Sequence, residues 1–82
     1  MTLAELKEGN VAEIKKLSGG KNLMEKIQGF GLFVGGKVRL ERKAPFRGPL
    51  LVKDLENDAR LMIGRGLAAK VEVKVLESKK PR

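Results

Sequence analysis

Three carboxylates are the residues of this 82-residue sequence that come nearest to a chemical site. Asp54, Glu56 and Asp58 alternate through one short segment, and carboxylate oxygens can bind a cation. The sequence has no histidine and no cysteine, so a first-row transition metal would lack the imidazole and thiolate ligands that it prefers. Alternate residues along a turn also need not converge on one ion. The three residues are therefore metal candidates whose spacing favours solvation of a turn.

The missing histidine and cysteine also remove the common catalytic pairs. A serine nucleophile is usually activated by a histidine base, and Ser18 and Ser78 have no such partner in this sequence. Residues 18–22 contain glycines and a lysine but have too few elements for a phosphate-binding loop. We expect no turnover from this chain alone.

A net charge of +8 favours an anionic partner, which includes nucleic acid, an anionic membrane or an acidic protein surface. The aromatic residues are only Phe30, Phe33 and Phe46, too few for the stacking platform that proteins use to bind single-stranded nucleic acid. We therefore expect no nucleic-acid partner and a largely solvated basic surface. The longest apolar runs are far below the roughly 20 residues that span a bilayer, so we expect a cytoplasmic chain without direct membrane insertion.

The stretch "KAPFRGPLLVK" (residues 43–53) places two rigid dipeptides before an apolar run. Pro45 and Pro49 fix their own φ angles and favour extended conformations at Ala44 and Gly48. Neither proline has an N–H group, which predicts a position at a sheet edge or in a loop. We expect a rigid segment that leaves its strand, crosses the surface and re-enters. A rigid turn without a binding role is the alternative interpretation.

Hydrophobic periodicity predicts five short strands. "NVAEIKKL" suits a strand with a bulge, and "GGKVRLER" alternates so that Val38 and Leu40 face one side. "PLLVKDL" and "ARLMI" flank a hairpin turn at residues 56–58, and "AKVEVKVL" ends the fold with Val71, Val73 and Val75 on one face. Such a pattern of short strands and glycine punctuation predicts a mainly β fold, a small antiparallel barrel.

Two further segments carry helix signals. Thr2 and Glu5 have the spacing of a capping box, so one helical turn should present Leu3 and Leu6 to the core. Asn22 and Glu25 repeat this spacing before a helix near residues 22–28, ended by Gly29 and Gly31. The apolar stripe of this helix consists of Leu23, Met24, Ile27 and Phe30.

Three of these segments, in this order, resemble the ferrous iron transport protein A (FeoA) family. They are Gly31-Leu32 with Gly35, then Ala44-Pro45 with Gly48-Pro49, then "LMIGRGLAAKVEV" with Ala68. The family pattern runs from a short helix ending in L-G-L-x-P-G, through A-P-x-G-G-P, to a hydrophobic-Arg-x-x-A-x-x-I-x-V ending. The resemblance covers about residues 2–76. This sequence departs from the pattern at Val34, where proline is usual, and at Arg47, where the first of two glycines is usual.

The resemblance implies an SH3-like barrel of about five strands with the short helix inserted. It implies a cytoplasmic accessory role in ferrous iron uptake, with a membrane transporter of the FeoB type and its cytoplasmic G-protein domain as partner. Ferrous iron association is implied by the family alone, and we expect no cofactor in the isolated chain. The expected partner-binding residues are Ala44, Pro45, Phe46, Arg47, Gly48, Pro49 and Arg65, while Gly31, Leu32, Gly35 and Ala68 are expected to be structural.

The expected domain organisation is a single domain over residues 1–76 followed by a basic disordered tail at 77–82. Two other functions stay open at this point: a small basic barrel that binds nucleic acid, and a metal-associated regulatory module. The sequence leaves the oligomeric state undetermined.

Overall fold

Five short strands and two helices make up most of the computed structural model, which describes residues 1–77. The strands are β1 (Val11–Leu17), β2 (Lys37–Lys43), β3 (Leu50–Asp54), β4 (Ala59–Ile63) and β5 (Val71–Glu77). The helices are α1 (Lys21–Gly29) and α2 (Arg65–Ala68), and a 3₁₀ turn covers Leu3–Glu5. All the strand pairs are antiparallel, in the order β4-β3-β2-β1-β5. The predicted mainly β, SH3-like barrel is confirmed.

Alternation in the strands builds the core because successive side chains point to opposite faces of a sheet. Val38 and Leu40 on β2 are buried, and so are Val71 and Val73 on β5. The other fully or nearly fully buried apolar residues are Leu3, Leu6, Ala12, Ile14, Leu17, Ile27, Leu32, Leu50, Val52, Ile63 and Ala68. Together they form one core cluster enclosed by the curled sheet and the helices.

The predicted bulge in β1 is present. The pairing of β1 with β5 shifts register between Val11 and Ala12, and again between Ile14 and Lys16. The second shift brings both Ile14 and Leu17 into the core although they are three residues apart. Val11 lies at the end of the strand and stays partly exposed.

The N-terminal turn is fixed by a capping interaction. The Glu5 carboxylate accepts a hydrogen bond from the Thr2 N–H at 2.7 Å, and this bonding to Thr2 lowers the pKa of Glu5. Leu3 and Leu6 are fully buried, as predicted. The Met1 carbonyl accepts the Val73 N–H at 2.8 Å, so the N-terminus covers part of the outer edge of β5.

The helix α1 begins earlier than its predicted cap. Gly20 occupies the N-cap in an extended conformation and its carbonyl accepts the Met24 N–H at 3.0 Å, so the prediction that Asn22 caps this helix is wrong. Asn22 lies in the first turn and is exposed. Ile27 is buried, whereas Phe30 follows the last helical residue and is 39% exposed. The predicted stripe therefore fails at Phe30, because the helix ends before it.

Helix α1 ends just before the first of the family-like motifs, Gly31-Leu32. The Gly31 N–H donates to the Gln28 carbonyl at 2.9 Å, and the Leu32 N–H reaches back to the Ile27 carbonyl at 3.4 Å. These two bonds form a Schellman motif, in which the residues at C″ and C3 also pack together. Leu32 and Ile27 hold those positions and are both buried. The predicted stop at Gly31 is therefore confirmed.

Residues 33–36 then form a tight turn that leads into β2. The Gly36 N–H donates to the Phe33 carbonyl at 2.9 Å, and Gly35 has a φ of 91°. A positive φ at the third position is what a type II turn requires, and glycine adopts it without steric cost. The Gly35 N–H also donates to the Ile14 carbonyl at 2.8 Å, which ties the turn to β1.

Replacing Val34 by proline is expected to stabilise the fold. Val34 is the second residue of this turn and is exposed, and proline is favoured there because its fixed φ matches the turn. The free energy of unfolding should rise by about 0.4–1 kcal/mol, since the unfolded chain loses freedom. Urea unfolding followed by circular dichroism measures this change. Val34→Ala is the control and should give no such gain; a proline variant less stable than wild type would contradict this turn assignment.

The second half of the chain contains one confirmed hairpin and one helix that sequence patterns missed. β3 and β4 pair in register around residues 55–58, where Asp58 has a φ of 54° and pairs with Lys53 at 2.8 Å. This hydrogen bond to Lys53 lowers the pKa of Asp58. α2 is only four residues long and packs against the 3₁₀ turn, with Ala68 buried in the core.

β5 extends to Glu77, which the sequence analysis assigned to the tail. Residues 78–82 lie outside the described part of the chain, so the expected tail there stays a prediction. Within residues 1–77, no helix has the length and apolar character needed to cross a membrane.

Candidate protein-binding site

The segment between β2 and β3 is a tight hairpin tip, which we define as residues 44–49. The Ala44 N–H donates to the Pro49 carbonyl at 3.0 Å, and the Gly48 N–H donates to the Pro45 carbonyl at 3.0 Å. The chain thus reverses within four residues. The prediction that this segment crosses the surface is wrong, because these two bonds hold its ends together. The two prolines and these two hydrogen bonds restrict the backbone of the segment.

The two central residues of the tip have left-handed backbones. The φ angles of Phe46 and Arg47 are 57° and 58°. Positive φ at both central positions is the mark of a type I′ turn, which normally selects Asn-Gly or Gly-Gly. For residues with a Cβ, the left-handed region costs roughly 1–2 kcal/mol each. The tip therefore holds a bulky aromatic residue and an arginine in a conformation that glycine would adopt more easily.

The Arg65 side chain stabilises the hairpin tip through two hydrogen bonds. Proline has no N–H, so Pro49 cannot return a hydrogen bond to the Ala44 carbonyl as a strand residue would. Arg65 donates to this carbonyl through Nη2 at 3.4 Å and to the Gly48 carbonyl through Nε at 3.4 Å. The guanidinium is partly buried in this position. These two hydrogen bonds position the tip, and the predicted role of Arg65 as a partner contact stays a prediction.

Gly48 makes the close packing of the tip possible. A Cβ at this position would lie 2.7 Å from the Ala44 Cβ and 3.0 Å from the Pro45 carbonyl oxygen. These separations are shorter than van der Waals contact, so a larger residue would push the two arms of the hairpin apart. The A-P-x-x-G-P spacing is therefore a packing requirement of this turn.

Phe46 projects into solvent from the tip. Its side chain is 99% exposed and packs neither within the loop nor in the core. Arg47 beside it is also exposed and takes part in none of the ion pairs among residues 1–77. An exposed aromatic ring next to a free guanidinium combines two residue types that anchor protein interfaces. The remaining expected binding residues, Ala44, Pro45, Gly48 and Pro49, form the rigid base below them.

Replacing Arg47 by glycine should stabilise the fold. Glycine removes a left-handed cost of roughly 1–2 kcal/mol and adds about 0.5–1 kcal/mol of unfolded-state freedom, so a net gain of about 0.5–1 kcal/mol is expected. Thermal unfolding measures this gain. Arg47→Ala keeps the Cβ and serves as the control, for which no gain is expected. A glycine variant of unchanged or lower stability would mean that the turn is not strained.

The three acidic metal candidates do not form a site. Asp54 is buried and its carboxylate accepts the Glu56 N–H at 3.0 Å and the Asn57 side-chain amide at 2.8 Å. Glu56 accepts the Lys37 N–H at 3.3 Å, while Asp58 pairs with Lys53. Within residues 1–77 no three metal-ligating side chains come together. These carboxylates bind the hairpin backbone and neighbouring side chains, so they do not fit a resident ferrous ion.

A second exposed feature lies on the outer face of the sheet, beside the tip. Strand alternation alone did not predict it. Arg42, Leu51 and Met62 are neighbours across β2, β3 and β4. Strict alternation from Val38 and Leu40 would turn Arg42 into the core, and a bulge in β2 turns it outward. The only signal in the sequence is an unusually polar end to β2, "ERK".

Comparison with known proteins gives matches that cover nearly the whole chain. The FeoA domain model covers residues 1–75. A curated relative from Methanocaldococcus jannaschii, described as a candidate Fe(2+) transport protein A, is 32% identical over 75 residues, which cover 92% of this chain and 87% of that protein.

Solved structures give the same match. A crystal structure of an iron uptake regulatory protein (FeoA) has a TM-score of 0.85 at 29% identity, covering 93% of this chain and 97% of that chain. The solution structure of the FeoA protein from Chlorobium tepidum has a TM-score of 0.81 at 29% identity, covering 98% of this chain and 74% of that chain. Together with the family-like turns at residues 31–36 and 44–49, these matches show that the chain belongs to the FeoA family.

Proposed function

We propose that this chain is a cytoplasmic accessory protein of ferrous iron uptake, and that it binds the cytoplasmic part of a membrane ferrous iron transporter through the hairpin tip. Family membership supports the link to ferrous iron transport. In this proposal the ferrous ion is the cargo of the transporter, and the chain acts on the transporter as a regulator without turnover of its own.

The single observation that carries the docking site is the position of Phe46. An aromatic side chain that is 99% exposed gains about 1.5–3 kcal/mol when a partner buries it completely. The turn, the prolines and Arg65 already hold the backbone at Phe46. Binding therefore loses little backbone conformational entropy at the tip, which favours affinity.

The alternative of a nucleic-acid binder has the net charge of +8 in its favour but no aromatic platform. Phe46 lies beyond the C-terminal end of β2, while Phe30 and Phe33 lie before its first residue. A seven-residue strand is about 20 Å long, so these rings cannot form one stacking platform. The alternative of a metal-associated module is not favoured by Asp54, Glu56 and Asp58, since their carboxylates are used within the hairpin.

Co-purification with the cytoplasmic domain of the cognate transporter tests the proposal. Wild-type protein should be retained by the immobilised domain, and comparing samples with and without guanine nucleotide shows whether binding depends on the nucleotide state. Failure of wild-type protein to bind in both states would contradict the proposed function. An iron-uptake assay in cells that lack the chain provides the functional counterpart, and normal uptake without the chain would contradict an accessory role.

A further inference from the structure

A bulge in β2 creates an unusual outer face beside the hairpin tip. The register pairs Leu40 with Val52 and Arg42 with Leu51, so Glu41 is an extra residue on β2. Bulges commonly redirect side chains at functional surfaces. Here Glu41 and Arg42 both lie outside the core, and Arg42 is exposed.

Two adjoining depressions lie on this face. One, of about 350 Å³, is lined mainly by apolar groups that include Pro45, Pro49, Leu51 and Met62. The other, of about 370 Å³, is lined by Glu41, Arg42, Leu51 and Arg60. Arg42 and Leu51 line both depressions, so the two form one continuous groove with an apolar end and a basic end. Met62 at the apolar end is 58% exposed.

Two cations that line the groove have no ion-pair partner among residues 1–77, Arg42 and Lys43. Lys43 pairs with the buried Leu50, whereas Arg42 lies beside Leu51 on the outer face. The Glu41 carboxylate is held by Arg39 of the same strand at 3.6 Å and by Arg60 of β4 at 3.2 Å. Arg42 takes part in none of the ion pairs among residues 1–77. A guanidinium in this position matches the geometry of a carboxylate from another molecule.

The spacing of the groove defines the shape of its ligand. Neighbouring strands are about 4.8 Å apart, so the row from Arg42 through Leu51 to Met62 spans about 10 Å. The distance from Arg42 to the middle of the Leu51–Met62 pair is then about 7 Å. Residues i and i+2 of an extended chain lie on the same side, about 6.6–6.8 Å apart. The apolar and basic ends of the groove thus match two alternate side chains of one extended segment.

We propose that this groove binds an extended peptide segment in which an apolar side chain and a carboxylate are two residues apart. The apolar side chain lies against Leu51 and Met62, and the carboxylate pairs with Arg42. A nucleic acid fits less well because no aromatic side chain lines the groove, and a bilayer surface fits less well because the face is concave. The inference rests on the proposed function for the identity of the partner, the transporter, but not for the peptide chemistry.

Amide NMR of the ¹⁵N-labelled chain with short peptides tests the chemistry directly. The probe is the capped peptide Gly-Leu-Ser-Glu-Gly at millimolar concentration, with Gly-Leu-Ser-Gln-Gly and Gly-Ser-Ser-Glu-Gly as matched controls. The probe should shift the amides of Arg42, Leu51 and Met62, and each control should lose most of this shift. Arg42→Gln and Met62→Ser should abolish the response while the rest of the spectrum stays unchanged, because both side chains are exposed.

The outcomes separate this inference from the proposed function. Shifts elsewhere on the basic surface, an equal response to all three peptides, or a response that persists in Arg42→Gln would overturn the inference. Binding of the transporter domain by the wild type measures the proposed function, and Arg42→Gln should weaken it by about tenfold. Peptide binding at the groove without any binding of the transporter domain would contradict the proposed function and leave the peptide chemistry supported.

Discussion

The double replacement Phe46→Ala with Arg47→Ala is expected to weaken binding to the cytoplasmic domain of the transporter by about 30-fold or more. Truncation of one central aromatic or arginine anchor often costs at least about 2 kcal/mol, and about 1.4 kcal/mol corresponds to a factor of ten, so the loss of a single anchor already accounts for about 30-fold. The fold should be unaffected, because Phe46 is almost completely exposed and neither side chain supports the core. Isothermal titration calorimetry against the purified domain measures the loss.

Phe33→Ala is the matched control for this experiment. Phe33 is a second exposed phenylalanine, 54% accessible, in the turn before β2, about a strand length away from the tip. Its replacement should leave affinity unchanged. Equal affinity of wild type and the double variant, or a larger loss in Phe33→Ala, would place the binding surface elsewhere.

Replacing Leu50 by alanine should have the largest effect on stability. Leu50 is the first residue of β3, follows Pro49 directly and is completely buried. Loss of a buried leucine side chain costs about 2–5 kcal/mol, because apolar contacts are lost and a cavity remains. A domain of this size has a total unfolding free energy of only about 4–12 kcal/mol. Chemical unfolding followed by circular dichroism should show a midpoint far below that of wild type.

Leu76→Ala provides the same substitution on an exposed part of β5, where the side chain is 46% accessible. Its cost should stay below about 1 kcal/mol, since little apolar area leaves water when this residue folds. A similar cost for Leu50 and Leu76 would mean that the return strand after the hairpin tip does not pack into the core as described.

Strand periodicity was sufficient to predict most of the fold. Apolar and polar residues alternate regularly in β2 and β5, and the apolar face of a half-buried strand packs on the core. Val38, Leu40 and Val71 are buried for this reason. The failures lie at element ends. Gly20 caps α1 in place of Asn22, because a backbone carbonyl can accept the first helical bond without a polar side chain. α2 escaped prediction because four residues are too few to show a helical period.

The candidate site was predictable in composition but not in geometry. The prolines and Gly48 indicated a rigid segment, and local rules favoured an extended path at each proline. Its reversal depends on positive φ angles at Phe46 and Arg47, which no propensity rule favours for these residues. The role of Arg65 depends on hydrogen bonds between segments far apart in the sequence. Sequence analysis therefore singled out Arg65 but did not predict these bonds. The groove at Arg42 depends on a bulge, which alternation cannot reveal.

These features give one physical account of the hairpin tip. Pro49 has no N–H to donate to the Ala44 carbonyl, and Arg65 donates to this carbonyl instead. Gly48 lacks a Cβ, so the two arms of the hairpin can pack closely. The result is a stiff support that holds a strained, exposed pair, Phe46 and Arg47, in one direction. Strained backbones that persist in a small fold are concentrated at functional sites.

The most direct test of this account is an amide NMR titration of the ¹⁵N-labelled chain with the unlabelled cytoplasmic domain of the transporter. Ala44, Phe46, Arg47 and Gly48 have backbone amides, and their signals should shift or broaden most strongly at the lowest ratios of added domain. Unchanged signals at these four residues, with the changes confined to α1 or to the turn at residues 33–36, would contradict docking through the hairpin tip.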